Sequence, residues 1–177
     1  MFINEIAAPM IRKVASALRR HRGLSTAALA KKLLSNVSAV VRGRLYLGEC
    51  HSVGAHPRCF GRPHVDGRGK IVIGDDFATG GTFGTVQLAA ARHAELIIGN
   101  SVTVNYGTTI SARLDVRIGD RVKIGPYCVV ADSEVPLAHG LDAYGSEEAR
   151  AIHIGSDVWL GARVTVLPGA RIGDGAV

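Results

Sequence analysis

The chain has 177 residues, 22 of them glycine, with only 5% aromatic residues and a formal charge of +6. That length suits one domain plus a short extension, and the scarcity of large rings argues against a sandwich core and for a narrow interior filled by Ile, Val, Leu and Ala. Three cysteines, an odd number with no secretory segment ahead of them, point to a reducing cytoplasm, and no apolar run is long enough to span a bilayer.

Residues 1–44 hold nine Lys and Arg against one acid, whereas residues 45–177 hold twelve against fourteen. Two helices split at Arg22-Gly23 are expected there: Met10, Ile11, Val14 and Leu18 share one face, and Leu29, Leu33, Val37, Val40 and Val41 another. Such a basic amphipathic extension either caps the open first coil of the β part, with a solvated outer face, or rests on an anionic membrane surface. Next come Cys50, His51, His56, Cys59 and His64, all metal-ligand types. They lack a short Cys pair or a regular His pair, so no metal is expected. Gly67-Arg68-Gly69-Lys70 lacks the full spacing of a phosphate loop and reads as a turn before Ile71.

From there a six-residue grammar governs the chain, clearest in Ile154-Gly155-Ser156-Asp157-Val158-Trp159 and the three units after it. Each unit opens with a branched aliphatic, usually followed by Gly, with a small residue four places on. That suits one flat β face per hexad, with the aliphatic inward and Gly or Asn turning the corner. Three faces close a triangular coil of 18 residues. The register extends back through Ile118, Ile124 and Val130, through Ile98, Val104 and Ile110, then weakly through Ile73 and Thr79 and through Leu47 and Val53. Coil starts at 47, 73, 98, 118, 154 and 172 leave only the last interval bare, so the others carry insertions. The longest, Pro136 to His153, should protrude as a loop, and such excursions often build binding sites. The last hexad begins a coil whose other two faces are unwritten, so a fragment is expected.

These motifs resemble the hexapeptide-repeat acyltransferases, and within them the sugar and polysaccharide O-acetyltransferases related to the galactoside and maltose enzymes. The resemblance runs over residues 45–177 and rests on Ile98 to Ile110, on Ile118-Gly119-Asp120 through Ile124-Gly125-Pro126, and on Ile154 to Val177 with Val158-Trp159-Leu160-Gly161 at its heart. It implies an all-β solenoid, a left-handed parallel β-helix of the trimeric type, behind an N-terminal helical extension over 1–44. It also implies acetyl-CoA as acyl donor, a sugar or glycan acceptor, a homotrimer with sites between subunits, and no nucleic-acid partner. His139, the one histidine well inside the long insertion, takes the family's general-base role. Asn105 takes the acceptor-binding amide, or merely turns its corner. Asp132 stands seven positions before His139, where the family places an Asp closer; it either meets the acceptor and orients His139 or bonds its own turn. Trp159, Gly161 and Ala162 would border the coenzyme A arm, with Trp159 alternatively packing the trimer. Ser111-Ala112-Arg113 replaces the acidic residue that galactoside-type enzymes carry after the Asn, so the acceptor pocket should differ. Cys128 falls on a small inward position and reads as a core thiol.

Three other readings stay open: a serine or amino-sugar acetyltransferase, a γ-type carbonic anhydrase and a non-catalytic β-helix scaffold. The anhydrase needs zinc-binding histidines in register on successive coils, a set that His139 and His153 do not form.

Overall fold

In the computed structural model, residues 26–81, 83–133 and 149–177 are described. Among the described residues one helix, α1 (Thr26–Tyr46), precedes sixteen short strands. Every strand pair is parallel, and the strands sort into three sheets of six, five and five. The first sheet holds Ser52–Val53, Lys70–Ile73, Glu95–Ile98, Asp115–Ile118, Ile152–Ile154 and Arg171–Ile172. Successive strands of one sheet are a full coil apart in sequence, which is the winding of the left-handed parallel β-helix. The expected first helix, residues 1–22, lies outside the described residues.

The hexads set the register. Ile73, Ile98, Ile118, Ile154 and Ile172 stack on the first sheet, Val104, Ile124 and Leu160 on the second, and Leu88, Ile110, Val130 and Val166 on the third. Fifth-position Val102, Val122, Cys128 and Val158 fill the axis between them, all buried. Cys128 is therefore a core thiol, its Sγ donating to the Gly161 carbonyl at 3.0 Å.

Three expectations need correction. First, the opening coil starts one hexad later than the aliphatic spacing suggests. Val53 pairs with Ile73, and the inward positions after it are Cys59 and Val65. Leu47 lies in the turn after α1, where it is buried against the core. Second, the long insertion rejoins the prism by Ile152, because Ile152 and His153 already pair with Val116 and Arg117. Third, the corner is not turned by the second-position glycine. Left-handed φ falls at the fourth position instead, at Asp76, Ser101, Arg121, Tyr127, Asp157 and Arg163, and at Gly107 and Gly169. At Gly119 the second-position glycine is needed for room: a Cβ there would stand 2.7 Å from the Gly155 carbonyl carbon and the Ser156 nitrogen of the next coil.

The corner between the first and second sheets is further tied by third-position side chains. The backbone N–H of Ala55 donates to Asp75 Oδ1, that of Asp75 to Asn100 Oδ1, that of Asn100 to Asp120 Oδ1, that of Asp120 to Ser156 Oγ, and that of Ser156 to Asp174 Oδ1, at 2.6–3.1 Å. Corner amides that no strand can pair are thus satisfied coil to coil.

Candidate active site

Asn105 follows Val104 at the corner between the second and third sheets. Val104 pairs with Ile124, and Ile124 with Leu160, so Asn105, Gly125 and Gly161 form one column up that edge. Two coil spacings separate Asn105 from Gly161, about 10 Å. Half-buried Asn105 accepts the Tyr106 N–H on Oδ1 at 2.9 Å, while among the described residues its Nδ2 donates no hydrogen bond. An amide fixed through its oxygen presents its donor end.

Trp159 is 55% exposed on the outer face of the second sheet, in register with Lys123 and, one coil further, Thr103. With Ser101, Arg121, Lys123, Asp157 and Val158 it lines a groove of about 440 Å³. Arg121 grips Asp157 through two bonds of 2.7 Å, and that pairing holds the Asp157 carboxyl below its ordinary range. The exposed Gly161 and Ala162 continue from Trp159 to the edge that carries Asn105.

Asp132 sits elsewhere, at the corner leading from the third sheet back to the first. It is 1% exposed, and Oδ1 accepts the Arg113 N–H at 2.7 Å while Oδ2 accepts those of Leu114 and Asp115 at 2.8 and 2.9 Å. The carboxylate thus caps the turn of the preceding coil. Its own carbonyl accepts the Arg150 N–H at 2.8 Å, which ties the two ends of the long insertion together. His139 lies outside the described residues. The structure therefore gathers Asn105, Trp159, Gly161 and Ala162 at one edge, with Asp132 at another.

Two features of this surface escaped the hexad reading. Phe83, Tyr106 and Tyr127 meet edge to face beside Asn105, with ring centroids 5.5 and 5.4 Å apart, and the Tyr127 hydroxyl donates to the Phe83 carbonyl at 3.3 Å. Part of the signal lay in the third position of the Val104 hexad and the fourth of the Ile124 hexad, which stack at one corner in successive coils. The other feature is a chain of ion pairs on the first sheet: Lys70 with Glu95, Glu95 with Arg117, and Arg117 with Asp115, at 2.9–3.1 Å. The Lys70 contact holds the Glu95 carboxyl below its usual range, with Arg117 adding to it.

Among the described residues no three His, Cys, Asp or Glu side chains converge as metal ligands. Burial pushes the Cys50 thiol up to about 12, with Glu49 and Cys59 adding to the shift, and burial likewise raises Cys59. Thiols so poor in thiolate make weak nucleophiles.

Winding and register define a parallel β-helix of hexapeptide-repeat type. The chain is similar to the galactoside O-acetyltransferase of Escherichia coli, 32% identical over 110 residues that cover 61% of this chain and 54% of that protein. It is also similar to the galactoside O-acetyltransferase of Lactococcus lactis, 33% identical over 79 residues, 45% of this chain and 38% of that protein. The matched segments thus span about half or less of these relatives' length. No family model matches the chain. The resemblance carried by the hexads is shared, then, with proteins named as acetyltransferases.

Proposed function

We propose that the chain is the β-helix of an acetyl-CoA-dependent O-acetyltransferase that acts on a hydroxyl of a sugar or surface-polysaccharide precursor. The observation that carries this reading is the similarity to two galactoside O-acetyltransferases in a chain whose solenoid edge collects Asn105, Trp159, Gly161 and Ala162. Coenzyme A would run along Trp159, Gly161 and Ala162. Asn105 Nδ2 would donate to an acceptor oxygen, with the Phe83, Tyr106 and Tyr127 rings packing the apolar face of a pyranose. In this reading Asp132 acts on the site indirectly, by fixing the base of the insertion that bears His139. The enzyme works as a cytoplasmic homotrimer, each site combining one subunit's insertion with a neighbour's flank.

The chemistry needs one base. His139 takes the hydroxyl proton as the acceptor oxygen bonds to the thioester carbonyl carbon, and backbone N–H groups hold the tetrahedral oxyanion. Collapse breaks the carbon–sulfur bond, and the imidazolium returns its proton to the departing thiolate. The test is acceptor-dependent thiol release from acetyl-CoA across a panel of sugars and glycans. His139→Ala should lower kcat by about 10²-fold or more, while Asn105→Ala should chiefly raise the acceptor KM. Turnover unchanged in His139→Ala refutes the mechanism, and absence of turnover with every acceptor favours a scaffold.

A further inference from the structure

The outward face of α1 has the wrong composition for a solvated cap. At 100° per residue, Ala39 and Gly43 fall on one arc, and both are buried, as is Leu47 in the turn that follows. Gly43 is needed there, since a Cβ would stand 2.7 Å from the Pro57 carbonyl carbon. The opposite arc carries Leu34, Val37, Val41 and Leu45, which are 71%, 41%, 55% and 70% exposed. Four large aliphatics spaced 3, 4 and 4 residues apart make a continuous stripe about 16 Å long. Water-facing helix arcs normally carry polar residues, and a contiguous apolar stripe marks a contact surface. Val37 and Val41, which periodicity places on the helix's apolar face, are thus turned outward, because close backbone approach to the first coil admits only small side chains.

The charge says what the stripe faces. The helix TAALAKKLLSNVSAVVRGRLY contains Lys31, Lys32, Arg42 and Arg44 and no acid; exposed Lys31 flanks the stripe on one side, and Arg44 on the other donates to the Val53 carbonyl at 3.1 Å. Residues 1–44 together hold nine basic residues and one acid, against a nearly balanced remainder. A second copy of this chain would bring the same positive charge to the contact, whereas an anionic lipid surface complements both the stripe and its rim. No helix among the described residues is long and apolar enough to cross a membrane. We infer that α1 docks the protein in the plane of an anionic bilayer surface, with Leu34, Val37, Val41 and Leu45 in the acyl boundary and Lys31 at headgroup level. This is independent of the acyl-transfer reading.

The experiment is flotation of the full chain with vesicles of phosphatidylcholine alone or containing 30% phosphatidylglycerol, at low and high salt. Binding should be at least tenfold tighter to the anionic vesicles and weaken in salt. Leu34→Ser/Val41→Ser/Leu45→Ser should lose at least tenfold while its circular dichroism stays native, and the milder Val37→Thr/Val41→Thr should lose less. No preference for anionic vesicles, or equal binding by a folded stripe variant, overturns the inference. So does a stripe variant whose only change is a smaller sedimentation coefficient without lipid, since the stripe would then join copies of the chain.

Discussion

Asp132 shows how a residue's type can be legible while its task is not. An acid just beyond a third-sheet strand, ahead of the long insertion, reads equally as an acceptor contact or as a turn-former. Its three backbone donors come from Arg113, Leu114 and Asp115, seventeen to nineteen residues away, and no local pattern announces such partners. Asp132→Asn replaces one acceptor oxygen by an amide that faces N–H donors. It should cost about 2 kcal/mol, the scale of a buried donor left unsatisfied, read as a lower midpoint in urea unfolding. An unchanged midpoint would mean that the turn holds without the carboxylate. The second-position glycines teach the same lesson, since spacing identifies them but cannot say whether φ or clearance demands Gly. At Gly119 it is clearance, and left-handed φ falls two residues later, at Arg121.

Single coils were readable wherever an aliphatic opens each face, as in Ile98, Val104 and Ile110 or Ile118, Ile124 and Val130. The first coil was not, because Cys59 holds a position that elsewhere takes Val, Ile or Leu; the second, where Thr79 holds it, read only weakly. The helix itself was legible, but its buried arc was not: the sequence offers an arc of small residues and an arc of large ones, and only the approach of Pro57 chooses between them. Coil packing makes a paired prediction. Gly119→Ala should destabilise by about 1–3 kcal/mol, since backbone of the next coil blocks the methyl. Gly48→Ala, whose Cβ would meet only the Leu45 carbonyl oxygen at 3.5 Å, should stay within about 0.5 kcal/mol of the parent. Equal effects in thermal unfolding would discredit inter-coil clearance as the reason for the glycines.

On the scale of the solenoid, some exposed ion pairs join neighbouring coils along its axis, as Lys70 joins Glu95 and Arg121 joins Asp157. Both carboxyls titrate below their ordinary values in the folded chain. Their contribution is therefore complete above the unfolded carboxylate range, about pH 4, and is lost as pH falls through the lower folded values. Asp157→Asn should flatten the decline of stability measured by urea unfolding between neutral and acidic pH, modestly, because the pair is open to solvent. A variant whose profile parallels the parent's would deny the pair that part.

The column of third-position acceptors also sets a rule for lengthening the protein. Asp75, Asn100, Asp120, Ser156 and Asp174 each receive the amide one storey below, and the first four offer their own to the storey above. An extra storey copied from residues 154–171 would arrive with both halves of that joint, whereas one with Ala for Ser156 would strand a donor. Growth by tandem duplication is thus written into one edge of the prism, where a single polar atom per storey acts as the mortise.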